Sequence, residues 1–235
     1  MPEDFEGDLT ESVFWGADLS RSTLRDVNLT GVRVSHAWLV DVDIDALVER
    51  VTINGVDVTD FVNEHDAWYP LRAMLRPDDP AGMRRALDAL DAAWSTTMAT
   101  ARALPEPKLH ESVAGEFSFV QTLRHLVMAI DKWFTAPILG EPFDPMGLPN
   151  TGSLDFDFPG LDLASDPTFA EVLAVRADRA GKLRDYVDRL DSGELDREVV
   201  VLENGPNPVR ECLFTVFEEE FHHNRYARRD LAQLQ

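Results

Sequence analysis

The pattern of apolar positions divides the chain into two parts. Over the first 45 residues a large apolar residue recurs at every fifth position, which is the period of neither a helix nor a strand. These positions are Leu9, Phe14, Leu19, Leu24, Leu29, Val34, Leu39 and Ile44. A small or β-branched residue stands two positions before each of them. The pattern predicts a right-handed quadrilateral β-helix over residues 5–47, in which four five-residue units form each turn and both positions point inward.

A short β-connection follows the repeat. The stretch VTINGVDV, Val51 to Val58, alternates apolar and polar residues around Asn54-Gly55. An Asn-Gly pair between such runs is the strongest short signal for a hairpin. Residues 48–64 are therefore interpreted as a β-hairpin linker.

The remainder, residues 65–235, carries apolar residues at helical spacing. Asp79 and Pro80 indicate a helix start, and Pro105 and Pro107 indicate its end. Four helical segments are expected: Pro80 to Ala101, Glu116 to Leu139, Asp166 to Leu190 and Val209 to Leu234. The long loop 141–165 joins the second to the third. The predicted fold is mainly α, a four-helix bundle with one long crossover.

The excess of acidic residues limits the kinds of molecule that the protein can bind. With 43 acidic and 22 basic residues, the formal net charge is -21, which repels phosphate backbones and anionic lipid. No apolar run approaches the length of a membrane span, and the acidic N-terminus does not resemble a signal peptide. The single cysteine, Cys212, suits a reducing compartment and is interpreted as a small core residue. The expectation is a cytoplasmic protein that binds neither nucleic acid nor membrane.

The last helix combines an apolar stripe with inward polar residues in FEEEFHHNRYARRDL, Phe217 to Leu231. Helical steps from Val216 place Glu219 or Glu220, and then His223, on the stripe. The aromatic residues nearby are equally compatible with an inward face shifted by one residue, so Glu218 with His222 is the alternative pair.

The second helix contributes His125, which is surrounded by apolar residues. Histidine and carboxylate side chains on facing helices are how bundles build metal sites. The alternative to a metal site is a histidine that is hydrogen-bonded in the core and a row of glutamates that are exposed to solvent. His36, His65 and His110 are expected at the surface.

Two resemblances sharpen these expectations. The units ADLSR and VNLTG resemble the A(D/N)LxX unit of pentapeptide-repeat proteins. TLRHLVMAIDKWF and EEEFHHNRYARRDL resemble the DinB-like superfamily, four-helix bundles that include thiol-dependent S-transferases and maleylpyruvate isomerase. That resemblance covers roughly residues 65–235. It implies a divalent metal held by His125 and by an H-x-x-x-H pair whose last member matches His223.

The first member of that pair falls on Glu219, where relatives usually have histidine. The implied ligand set is therefore His125, Glu219 and His223, with zinc as the first choice and nickel, manganese or iron as alternatives. Glu220 and His222 are candidates for a base or an orienting group beside the ligands.

What the resemblance implies is a transferase or isomerase that activates a low-molecular-weight thiol against a small electrophilic substrate. The alternatives are a metal-dependent hydrolase and a non-catalytic binding protein with a degenerate metal site. A homodimer is also expected.

Overall fold

A computed structural model of the chain describes residues 7–24, 27–150 and 158–235. The chain forms two compact units, Met1–Asp45 and Ala46–Gln235. Parts of two predicted segments, residues 5–6 and 25–26 of the repeat and 151–157 of the long loop, lie outside the described residues. Within the described residues, no helix combines the length and the apolar character needed to cross a membrane.

The first unit has a regular backbone repeat. The N–H groups of Ser12, Ser22 and Val32 donate to the carbonyls of Leu9, Leu19 and Leu29. At each of these turns a side-chain oxygen accepts the backbone N–H of the residue two positions later. Asp8 accepts from Thr10, Asp18 from Ser20 and Asn28 from Thr30. The turns recur every ten residues, which is two five-residue units.

The side chains of this unit differ from the prediction. The eight large apolar residues of the five-residue pattern are 48% to 70% exposed, and the described residues of the unit contain no strand. These side chains are therefore not buried inside the unit, and the quadrilateral β-helix is not shown. A solenoid buries its inward side chains between successive coils, and eight units supply only about two coils.

The second unit begins with the hairpin expected from Asn54-Gly55. Strands β1 (Thr52–Ile53) and β2 (Val56–Asp57) pair antiparallel, with Ile53 opposite Val56. Both loop residues have positive φ, 53° and 81°, as a type I′ turn requires. Two short helices, α1 (Thr59–His65) and α2 (Tyr69–Arg72), follow and were not predicted.

Among the described residues of this unit, four longer helices form the core. They are α3 (Pro80–Arg102), α5 (Phe119–Ile130), α6 (Phe169–Arg189) and α7 (Val209–Gln233), and a single turn, α4 (Glu106–Leu109), follows α3. Helix α7 packs on α3 and α5, and α6 packs on the same two helices. The mainly α prediction is confirmed.

Side-chain caps explain where three of these helices begin. Asp79 lies immediately before Pro80 and caps the start of α3, as the sequence indicated. Its side chain accepts the N–H of Gly82. Ser118 with Gln121, and Thr168 with Glu171, form capping boxes. The second and third helices therefore begin three residues later than expected.

The predicted second helix changes its geometry after Ile130. Residues Asp131–Leu139 form a π-helix, and Gly140 ends it in the left-handed conformation at φ 72°. Asp131, at the start of this segment, is fully buried and accepts two hydrogen bonds from Arg179 of α6.

A second hairpin precedes α7. Strands β3 (Glu198–Val200) and β4 (Pro206–Pro208) pair antiparallel around a 3-10 turn at Leu202–Asn204.

Candidate metal centre

His125 lies in α5 with 4% of its side chain exposed. Its Nδ1 is 3.0 Å from the carbonyl oxygen of Leu148, in the long loop. Because a carbonyl oxygen only accepts hydrogen bonds, Nδ1 carries a proton in this contact. The other ring nitrogen, Nε2, points to Glu219 on α7, 3.3 Å from Oε2.

Glu219 and His223 stand one helical turn apart on α7 and face His125 together. His223 Nε2 is 3.2 Å from the same Oε2 of Glu219, and the two imidazole rings are 4.6 Å apart between centroids. Ligand atoms of the three residues lie within 4.8 Å of one another. Side-chain exposure rises from His125 through His223 at 18% to Glu219 at 32%, so the cluster is open on the glutamate side.

The separations of two donor pairs fit a small divalent ion. Ligand distances of 2.0–2.1 Å in tetrahedral or octahedral geometry put neighbouring donors about 2.8–3.4 Å apart. The two nitrogen–oxygen separations, 3.3 and 3.2 Å, fall in that interval. Two imidazoles and a carboxylate also form a donor set used by zinc, iron, manganese and nickel. Without an ion, the same separations suit hydrogen bonds from protonated Nε2 atoms to Glu219.

The surroundings keep Glu219 ionised. Burial acts to raise the pKa of this carboxyl group, but hydrogen bonds and charge interactions with His125 and His223 outweigh it and lower the pKa well below its ordinary value. Glu219 therefore has the anionic form that a carboxylate ligand requires.

The structure separates the two pairs that the sequence left open. Glu218 points to Arg76, whose Nη1 donates to it at 3.0 Å. Burial raises the pKa of Glu218 more than Arg76 lowers it. His222 lies against the rings of Phe221 and Tyr226. The pair that faces His125 is thus Glu219 with His223.

Glu220, the other candidate beside the ligands, lies on a different side of α7. Arg176 of α6 donates to both of its carboxylate oxygens, at 2.6 and 3.0 Å. The guanidinium of Arg176 also stacks over the ring of Trp94. Glu220 therefore joins α6 to α7, and the structure does not bring its carboxylate to the cluster.

Sequence reasoning missed three neighbours of the cluster. The Leu148 carbonyl orients His125, and a backbone group leaves no signal in side-chain patterns. Phe117 approaches His125 with ring centroids 5.8 Å apart, and Tyr226 approaches His223 at the same separation. Tyr226 could have been found, because it follows His223 by three residues on the same helix. His36, His65 and His110 are exposed, as expected.

Comparison with known families agrees with a mainly α fold. The DinB superfamily matches residues 89–227, more than half of the chain, and pentapeptide repeats match residues 8–44 in eight copies. The chain therefore belongs to the DinB superfamily and carries pentapeptide repeats near its N-terminus. No curated protein and no solved structure matches it.

Proposed function

We propose that the protein is a metal-dependent enzyme in which His125, Glu219 and His223 hold a divalent ion, zinc in the first place. The four long helices are interpreted as the DinB-like bundle that supports this centre. The observation that carries the proposal is the convergence of Nε2 of His125 and Nε2 of His223 on one oxygen of Glu219.

The reaction proposed is the transfer of a low-molecular-weight thiol to a small electrophilic substrate, or a thiol-dependent isomerisation. A divalent ion in this centre supplies Lewis-acid activation, which lowers the pKa of a bound thiol. The exposed side of Glu219 gives the substrate access to the cluster. Phe117 and Tyr226 place aromatic rings beside the two imidazoles, and these rings limit access of water.

A glutamate at position 219 changes the charge of the ligand set, compared with the histidine that is usual in relatives. A carboxylate offsets part of the positive charge of an ion, whereas a neutral imidazole does not. The activated group therefore stays more basic, and its thiolate is the stronger nucleophile once formed.

Metal analysis of the purified protein tests the ligand set. We expect stoichiometric metal in the wild type and its loss in His125→Ala, Glu219→Ala and His223→Ala. Glu218→Ala is the matched control, because Glu218 is the neighbouring glutamate and contacts Arg76 instead. The absence of metal from wild-type protein grown with added zinc, nickel, manganese or iron would contradict the proposal, as would equal retention in the Glu218 and Glu219 variants.

A thiol-conjugation screen then addresses the reaction. Mycothiol-like, bacillithiol-like and glutathione donors are offered with a panel of small electrophiles. Turnover that needs both the thiol and the metal supports transfer or isomerisation. Turnover with metal but without thiol identifies a hydrolase, and metal binding with no turnover identifies a binding protein.

A further inference from the structure

Arg124, next to His125 in α5, is a buried guanidinium bound to the main chain. The residue is 5% exposed. Its Nε donates to the carbonyl of Met146 at 2.8 Å, and its Nη1 donates to the carbonyl of Ser165 at 2.6 Å. A longer bond of 3.4 Å runs from Nη2 to the carbonyl of Asp162. Burying a charge is costly, and here three main-chain carbonyls and the nearby carboxylates of Asp162 and Asp166 offset that cost.

The three carbonyls belong to both ends of the long loop. Met146 lies shortly after the π-helix, whereas Asp162 and Ser165 lie shortly before α6. The N–H of Asp162 also donates to the carbonyl of Pro145 at 2.9 Å, which joins the two ends directly. Arg124 therefore fixes the base of this loop to α5.

Gly147 shows how closely this base approaches α5. A Cβ atom on Gly147 would lie 3.2 Å from Cβ of Met128 in α5 and 2.8 Å from Cδ2 of Leu161. Both contacts are tighter than ordinary van der Waals packing. Glycine thus permits the close approach that the hydrogen bonds of Arg124 hold in place.

Leu148 connects this anchor to the candidate metal centre. Its N–H donates to the main-chain carbonyl of Arg124 at 3.2 Å. Its own carbonyl accepts from Nδ1 of His125 at 3.0 Å. One loop residue is therefore held by two consecutive residues of α5, and its carbonyl fixes the orientation of the His125 ring through Nδ1.

We infer that Arg124 is a positioning residue of the metal centre: it holds the loop so that Leu148 accepts the Nδ1 proton of His125 and Nε2 is aimed at Glu219. The metal part of this inference rests on the proposed function, but the hydrogen bond from Nδ1 of His125 to Leu148 does not. Partners that fix the protonated nitrogen of a metal-binding histidine typically change metal affinity about 10–100-fold when removed.

The test measures, by NMR in metal-free protein, how slowly the Nδ1 proton of His125 exchanges with solvent. Zinc affinity is measured in parallel by competition with a chelator. Wild type is compared with Arg124→Lys and Arg124→Ala. Leu195→Ala is the control for general destabilisation, because Leu195 is a buried core residue in another part of the unit.

We expect a slowly exchanging Nδ1 proton in wild type and in Leu195→Ala, and similar zinc affinity in both. Arg124→Ala should show faster exchange of this proton and about 10–100-fold weaker zinc binding. Arg124→Lys, which keeps the charge but presents one nitrogen instead of the fork, should lie between them. It also provides the comparison if the alanine variant does not fold.

Two results would overturn the inference. One is a metal-free wild type in which Nδ1 of His125 carries no proton protected from exchange. The other is wild-type exchange of this proton together with zinc affinity within about twofold of wild type in the folded Arg124 variants. If wild type binds no metal, the proposed function fails, and the exchange of the Nδ1 proton alone decides the role of Arg124.

Discussion

At the scale of single residues, Cys212 illustrates how burial lowers the reactivity of a thiol. The residue is fully buried at the start of α7. Burial is the main cause that raises the pKa of its thiol from 9.0 to about 11, and Glu211 adds to the effect. The thiolate fraction at neutral pH is therefore about a hundredfold lower than for an ordinary cysteine.

This predicts slow alkylation of Cys212 in the native protein. Iodoacetamide should modify the native chain at least about a hundredfold more slowly than the chain unfolded in urea, as followed by mass spectrometry. The native rate should rise with pH up to about pH 11, because the thiol ionises only there. Equal rates in the native and unfolded chains would show that the thiol is accessible and ionised.

The ligand residues show what a sequence can supply at this scale. The four-residue spacing of Glu219 and His223 places both on one face of a helix, and the structure turns that face to His125. The one-residue ambiguity of phase could not be resolved from the sequence. It depends on Arg76 binding Glu218, a contact between residues 142 positions apart.

At the scale of elements, a buried ion pair joins the π-helix to α6. Arg179 donates through Nε to Asp131 at 2.7 Å and through Nη2 at 3.3 Å, and Asp131 also accepts the N–H of Asp144 at 2.7 Å. Burial acts to lower the pKa of Arg179, but its carboxylate partners outweigh it and raise the pKa. Removal of Asp131 would leave the guanidinium in the interior with Asp178 as its close partner.

We predict that Asp131→Ala lowers the free energy of unfolding by about 3 kcal/mol, because a buried charge loses its main partner. Arg184→Ala is the matched control. Arg184 also lies on α6 and joins Asp88 and Asp91 of α3, but those carboxylates are 69% and 59% exposed. Its removal should cost less than about 1 kcal/mol. Urea unfolding followed by circular dichroism measures both, and equal losses would contradict the prediction.

The elements also show why some boundaries were predicted and others were not. Asp79 with Pro80, and Gly140, carry local signals that the structure reproduces. The capping boxes of Ser118 and Thr168 were present in the sequence and would have corrected two helix starts. The π-helix could not be predicted, because its apolar residues resemble those of an α-helix and its wider turn is stabilised by tertiary contacts such as the Asp131–Arg179 pair.

At the scale of the whole molecule, sequence periodicity and structure agree only in part. The five-residue pattern matches a known repeat and produces regular turns. Burial depends on how many coils stack, and that number is not a property of any single unit. In the helical unit the pattern and the burial agree, since four long helices cover one another's apolar faces.

The candidate centre should also couple metal binding to the stability of the helical unit, because its ligands come from both α5 and α7. An ion that binds the folded chain adds about 2.7 kcal/mol to the free energy of unfolding when its free concentration is one hundred times Kd. We therefore expect zinc to raise the melting temperature of the wild type by several degrees and a chelator to reverse the change. Differential scanning calorimetry measures this shift.

His223→Ala supplies the control for this measurement, since it removes one ligand of the cluster and leaves the partners of Arg124 and Asp131 in place. Its melting temperature should respond little to zinc or to the chelator. Glu218→Ala should respond as the wild type does, because Glu218 is bound to Arg76. An equal zinc response in His223→Ala and wild type would show that the ion stabilises the protein at another place, and the link between α5 and α7 would not be metal-dependent.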